Sequence, residues 1–256
     1  MSQIIVKTGG IYEILINMPE NANRLTNKCM DEVVDSLKTA ENDGECYAII
    51  FGTVGDVFCL GGGELADYRV STTKDIRAFG DYFIRLHTAF GRTPKPVICA
   101  VQGEAIGGGF SLIEACDLAV CAEDALLSIS ELMWGLPPAM GMTGLYEEMT
   151  KKTVMEMGLL GRKLTAKEAL KYGMVNAVVP KDEVMDTARK MASTFADKNP
   201  TSIAIFKEIY RQMGLYAYER RMESAQSLLV SCFKSNDGFE VLNAKDEKRA
   251  PVWKGN

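Results

Sequence analysis

A single histidine, His87, stands in 256 residues, and that scarcity removes much chemistry at the outset. The seven cysteines (Cys29, Cys46, Cys59, Cys99, Cys116, Cys121 and Cys232) form no CxxC pair. With one imidazole and no thiol spacing of the kind zinc uses, no metal site is expected. The odd cysteine count, set mostly in apolar stretches, predicts reduced, buried thiols and a cytoplasmic location. No apolar run reaches the roughly 18 residues a membrane-spanning helix needs, so no membrane partner is expected. Basic residues are not in excess: 29 stand against 34 acidic ones, for a net charge of −5. A non-specific nucleic-acid footprint is therefore not expected. The start, Met1-Ser2-Gln3-Ile4, offers no basic segment followed by an apolar one, which predicts no secretory signal. No GxGxxG follows the first strand and no GxxxxGK occurs anywhere, so nucleotide-phosphate loops find no support.

What is present is an ordinary globular composition, 47% hydrophobic and 25% charged, long enough for one substantial core. Residues 4–17 predict two short strands joined at Gly9-Gly10. Residues 27–41 place Met30, Val33, Val34 and Leu37 on one helical face. Strands follow at 47–51, 96–101 and 117–121, separated by helices at 74–90 and through Ala115; this alternation predicts an α/β fold. Beyond residue 150, helical patterns dominate at 151–160, 165–172, 181–198, 201–213 and 217–233, with strand character only at 175–179. The boundary is drawn near Asn199-Pro200, giving an α/β core over 1–198 and a helical region over 199–256.

Two glycine clusters sit where a strand ends and a helix begins: Gly61-Gly62-Gly63 and Gly107-Gly108-Gly109. Taken alone, such triplets read first as tight turns. They also let backbone N–H groups face a ligand without a side chain in the way, and two N–H groups converging on one oxygen would make an oxyanion hole. Downstream, Ser128-Ile129-Ser130-Glu131-Leu132-Met133-Trp134-Gly135-Leu136-Pro137-Pro138 sets a carboxylate among apolar residues. A desolvated Glu131 would have its pKa raised, suiting proton transfer; a surface glutamate at a helix start is the competing reading.

The segment 93–138, TPKPVICAVQGEAIGGGFSLIEACDLAVCAEDALLSISELMWGLPP, resembles the central signature of the crotonase (enoyl-CoA hydratase/isomerase) superfamily. Met18 to Leu25, Phe58 to Leu65 and the ending from Glu247 to Gly255 are similar to that family's flanking motifs. The resemblance implies a spiral of ββα units with a C-terminal helical trimerisation region, a homotrimer or dimer of trimers, and an acyl-CoA substrate. It implies no cofactor beyond the coenzyme A of the substrate. By motif position, the oxyanion donors are Gly62 and Gly108. Asn23, Arg24 and Leu25 would lie against the CoA, and Lys248 would meet the CoA phosphates of a neighbouring subunit.

Two-carboxylate hydratases of this family place a glutamate three residues after the middle glycine of GGG. Here that position is Ser111, and only the second carboxylate position, Glu131, is kept. The run Gly107 to Ser111 followed by Ser130 to Pro138 resembles single-glutamate members such as hydroxycinnamoyl-CoA hydratase-lyases. The resemblance gives Glu131 the proton transfer and Ser111 the orienting of water or carboxylate. Tyr68, Trp134 and Pro138 are its candidates for the substrate pocket. Hydration of an enoyl-CoA, with or without retro-aldol cleavage, is the favoured expectation. The alternatives are Δ3-Δ2 double-bond isomerisation, decarboxylation or carbon–carbon bond formation on a carrier thioester, and a catalytically silent CoA-binding or RNA-associated scaffold. His87 is read as a packing residue, Met133, Met140 and Met142 as pocket wall or core, and Glu64 and Asp67 as candidates for a second acid.

Overall fold

A computed structural model describes residues 2–62 and 69–253, apart from the side chains of Glu147, residues 213–219 and Arg221. The first hairpin, β1 (Ile4–Lys7) and β2 (Ile11–Ile16), turns through Gly9 at φ 141°. Then come α1 (Asn27–Asn42), β3 (Ala48–Thr53), α2 (Thr73–Arg92), β4 (Val97–Val101), β5 (Ala105–Ile106) and α3 (Gly108–Ala115). Next are β6 (Leu118–Ala122), β7 (Leu126–Ser128), α4 (Met142–Glu148), α5 (Lys151–Leu160), β8 (Leu164–Thr165) and α6 (Ala166–Tyr172). The chain closes with β9 (Ala177–Val179), α7 (Val184–Ser193), α8 (Pro200–Phe233) and α9 (Asn236–Asp246).

The main sheet runs β1-β2-β3-β4-β6-β9, parallel throughout except for the β1–β2 hairpin. Its central strands β3 and β4 are buried at every residue, as their unbroken apolar runs require of a sheet covered on both faces. Helix α7 lies across β3, β4 and β6, and Arg189 on it donates to the buried Glu13 of β2 at 2.7 Å. Phe51 anchors the core, with its ring 4.9 Å from Phe90 and 6.3 Å from Phe58 in edge-on geometry. A second, small sheet β5-β7-β8 is built from strands of two and three residues.

The helical region departs from expectation in one respect. Residues 201–213 and 217–233 form a single 34-residue helix, α8, begun by Pro200 and capped by the Asn199 side chain. That helix packs against α2 and α4.

Candidate active site

The loops after β3 and β4 are knitted together by backbone hydrogen bonds. Cys59 N donates to Glu104 O at 3.1 Å, and Ile106 N donates to Cys59 O at 2.9 Å. Leu25 N donates to Gly61 O at 2.8 Å, tying a third loop to the same place. The two glycine runs then lie against each other. A Cβ added at Gly61 would stand 3.5 Å from Gly108 N, and one added at Gly108 would stand 3.6 Å from Gly61 Cα. At Gly109 a Cβ would fall 2.1 Å from Cys59 O, so no side chain fits there.

Gly107 holds φ 55° and ψ −118°, a conformation open to glycine, and its N–H donates to Ser128 O at 2.8 Å. This turn starts α3 at Gly108, whose N–H is the first of the helix-terminal donors without an intrahelical partner. Among the described residues no hydrogen bond uses the N–H of Gly62 or Gly108.

Glu131 opens a short 3-10 turn, Glu131–Trp134, closed by Gly135 in the left-handed region. Its carboxyl lies over the glycine turn: a Cβ at Gly107 would meet Oε1 at 2.6 Å, and one at Gly141 would lie 3.8 Å from it. Oε2 is buried with no hydrogen-bond partner. Burial pushes the Glu131 pKa from 4.5 up to about 7.

These groups border a cavity of about 350 Å³. Gly61, Gly62, Ile106, Gly107, Gly108 and Glu131 line its polar side. Phe79 and Phe83 of α2, Leu229 and Phe233 of α8, and Leu136, Pro137, Ala139 and Met140 of the loop before α4 make its apolar walls. Arg24, Leu60, Gly141 and the largely exposed Trp134 complete it.

Residues 7–256 match the family described as enoyl-CoA hydratase/isomerase. The chain belongs to the enoyl-CoA hydratase/isomerase family. A carnitinyl-CoA dehydratase of Salmonella enteritidis PT4 is 34% identical over 98% of this chain and 97% of its own length. The solved structure of a carnitinyl-CoA hydratase from Mycobacterium avium is 29% identical, covers 100% of both chains and superposes with a TM-score of 0.85. That of an enoyl-CoA hydratase from Mycobacterium avium, 22% identical over 99% of this chain and 100% of its own, shares the fold with a TM-score of 0.88. The crotonase resemblance, the α/β fold with C-terminal helices and the hydratase/isomerase type of acyl-CoA chemistry therefore stand.

Of the residues expected at the site, Gly62, Gly108, Glu131, Arg24 and Trp134 come together on this cavity. Others do not. Ser111 is fully buried and does not line the cavity; its Oγ contacts His87 Nε2 and Gly108 O, each at 2.9 Å. The Ser111 hydroxyl, expected to orient water or the carboxylate, is turned toward His87 on α2. Asn23 is also fully buried, with Nδ2 donating to Val54 O and Val57 O and Oδ1 accepting from Met18 N. It shapes the loop from within, as does buried Leu25, leaving Arg24 as the side chain of the three on the cavity. Pro138 is buried, and its neighbour Pro137 takes the wall position. Lys248 is exposed, at φ 52°, and lies off this cavity. Tyr68, Glu64 and Asp67 lie outside the described residues.

Sequence reasoning missed the α2 and α8 walls. Their signal was present in Phe79 and Phe83, spaced four apart, and in Leu229 and Phe233, likewise four apart, each pair marking one helical face.

Proposed function

We propose that this chain reversibly hydrates the double bond of an enoyl-CoA, using Glu131 as its one acid/base. The thioester oxygen is held between the N–H groups of Gly62 and Gly108. The observation that carries this reading is the Glu131 carboxyl, buried over the Gly107 turn with its pKa pushed up to about 7. A carboxyl poised there can give and take a proton at neutral pH. Glu131 takes a proton from water as the hydroxyl adds to C3, the thioester oxygen gathers charge as an enolate, and Glu131 returns the proton to C2. Losing one oxyanion donor costs about 3 kcal/mol of barrier, roughly two orders of magnitude in rate. The scheme needs no metal or further cofactor; coenzyme A enters as part of the substrate, with Arg24 beside it.

The relative named as a carnitinyl-CoA dehydratase supports hydro-lyase chemistry. The walls of Phe79, Phe83 and Phe233 suit an apolar or aromatic acyl group. A second reading, double-bond migration from C3 to C2, is favoured by the serine at position 111, which leaves Glu131 as the carboxyl among the described residues on the cavity to shuttle the proton. Retro-aldol cleavage after hydration belongs to the same scheme. Along α8, Ile205, Phe206, Ile209 and Tyr210 are each at least half exposed, which supports burial in a homotrimer or dimer of trimers, where a neighbour's Lys248 would reach the CoA phosphates. Seven free cysteines accord with a cytoplasmic location.

Incubation with crotonyl-CoA, carnitinyl-CoA, feruloyl-CoA and a 3-enoyl-CoA, followed by thioester absorbance and product analysis, tests the reading. Hydration or dehydration of at least one is expected. Turnover of the 3-enoyl ester alone would replace hydration with isomerisation, and tight CoA binding with no turnover would leave a scaffold.

A further inference from the structure

His87, set aside as packing in the sequence, stands in a buried series of three polar contacts. Its Nδ1 lies 2.8 Å from Phe83 O, its Nε2 lies 2.9 Å from Ser111 Oγ, and Ser111 Oγ lies 2.9 Å from Gly108 O. The two ends of this series are carbonyl oxygens, which only accept. Nδ1 must therefore carry a ring hydrogen. Three contacts need three hydrogens, whereas a neutral imidazole and one hydroxyl supply two. The groups bearing on the ring are the Phe83 carbonyl on α2, the Phe83 ring at 6.4 Å, and Ser111 on α3. No carboxylate among the described residues bears on it, and burial holds its pKa below the ordinary value. The ring is thus neutral, Nε2 is a bare acceptor, and Ser111 turns its only hydrogen to Nε2. Gly108 O loses little by this, because it is a helix carbonyl with the α3 ladder to serve it.

The same two helices frame the oxyanion donors. A Cβ on Gly62 would lie 3.1 Å from the Phe79 ring, and one on Gly108 would lie 2.7 Å from that of Phe83. Both rings belong to α2, and His87 is one turn beyond Phe83. We propose that His87 is a positioning residue of the oxyanion hole: through Ser111 it locks the first turn of α3, and with it the Gly108 amide, to α2. The lock also takes the serine hydrogen out of play, leaving Glu131, among the described residues, to move protons at the substrate. The inference rests on the enolate reading above, in which the Gly108 amide is a donor.

The test has one arm that needs no substrate. With one histidine in the chain, nitrogen-15 NMR of the free protein at neutral pH reads a single imidazole. The expected ring is neutral with its hydrogen on Nδ1, and its Nε2 resonance shifts in Ser111→Ala but not in Glu131→Gln. A ring protonated on Nε2 alone, or signals indifferent to Ser111→Ala, would overturn the lock. The second arm is turnover of the best enoyl-CoA. His87→Phe is expected to lower kcat about tenfold to a hundredfold with KM within about twofold, less than a deleted oxyanion donor. His87→Gln, which restores an acceptor for the serine hydrogen, should recover most of that loss. Ser111→Ala should match His87→Phe, and the double variant should be no worse than either. Unchanged kcat in a folded His87→Phe, equal loss in His87→Gln, or additive losses would each contradict the proposal. If His87→Phe fails to fold, the NMR arm decides. If the wild type turns over no enoyl-CoA, the enolate reading fails while the NMR arm still reports on the lock.

Discussion

Glu131 carries the pH behaviour. Its raised pKa means the native state keeps a proton that the unfolded chain has already lost between pH 4.5 and about 7. Stability therefore falls as pH rises through that interval, by on the order of 3 kcal/mol from this group. Glu131→Gln should remove this fall, so denaturant unfolding at pH 5 and pH 8, at one protein concentration, should differ less in the variant than in the wild type. Glu114, another buried carboxyl held well above its ordinary range by burial and by the charges of Glu148 and Glu131, pushes the same way in both proteins, and less in the variant, which lacks the Glu131 charge. Both directions of the proposed reaction begin with ionised Glu131, so kcat/KM should rise about tenfold per pH unit up to about pH 7 and level off above it. Gly107→Ala is expected to lose more than about a hundredfold in kcat, because its Cβ would occupy the place of Oε1 at a positive φ. At this scale the sequence disclosed which residues could do chemistry, through Glu131 and the two glycine runs. It could not disclose where Ser111 points, since that depends on His87, which lies 24 positions earlier on another helix.

Among the elements, those with long periodic runs were legible: α1, α2 and α5, and the buried strands β3 and β4, fall within two residues of their expected bounds. The strands β5, β7 and β8 are too short to show alternation, yet they hold Gly107 and Glu131 in register. The break expected near residues 214–216 of α8 does not occur; a single glycine costs a helix only about 1 kcal/mol and does not end it. Two elements give stability predictions. Thr72 and Asp75 form a reciprocal capping box at the start of α2, and Thr72→Ala should cost about 1 kcal/mol by urea denaturation. Asn23, at φ 53° and buried with three side-chain hydrogen bonds, should cost about 2–3 kcal/mol as Asn23→Ala. That variant should also raise KM for the CoA ester, as Arg24 loses its setting.

Over the whole molecule, the fold brings distant stretches to one cavity: the Arg24 loop, the glycine loops, α2, the Glu131 turn and the far end of α8. A boundary drawn at residue 198 separates Leu229 and Phe233 from the cavity they help enclose, so the helical region supplies part of the cavity wall. Truncation before α8 should therefore abolish acyl-CoA binding, as calorimetry would register. The most direct measurement is the turnover of Glu131→Gln with its preferred acyl-CoA, alongside calorimetric binding of the CoA ester. A fall in kcat of about a thousandfold or more, with affinity within about threefold, is the predicted result. A glutamine variant that turns over at the wild-type rate would contradict the account.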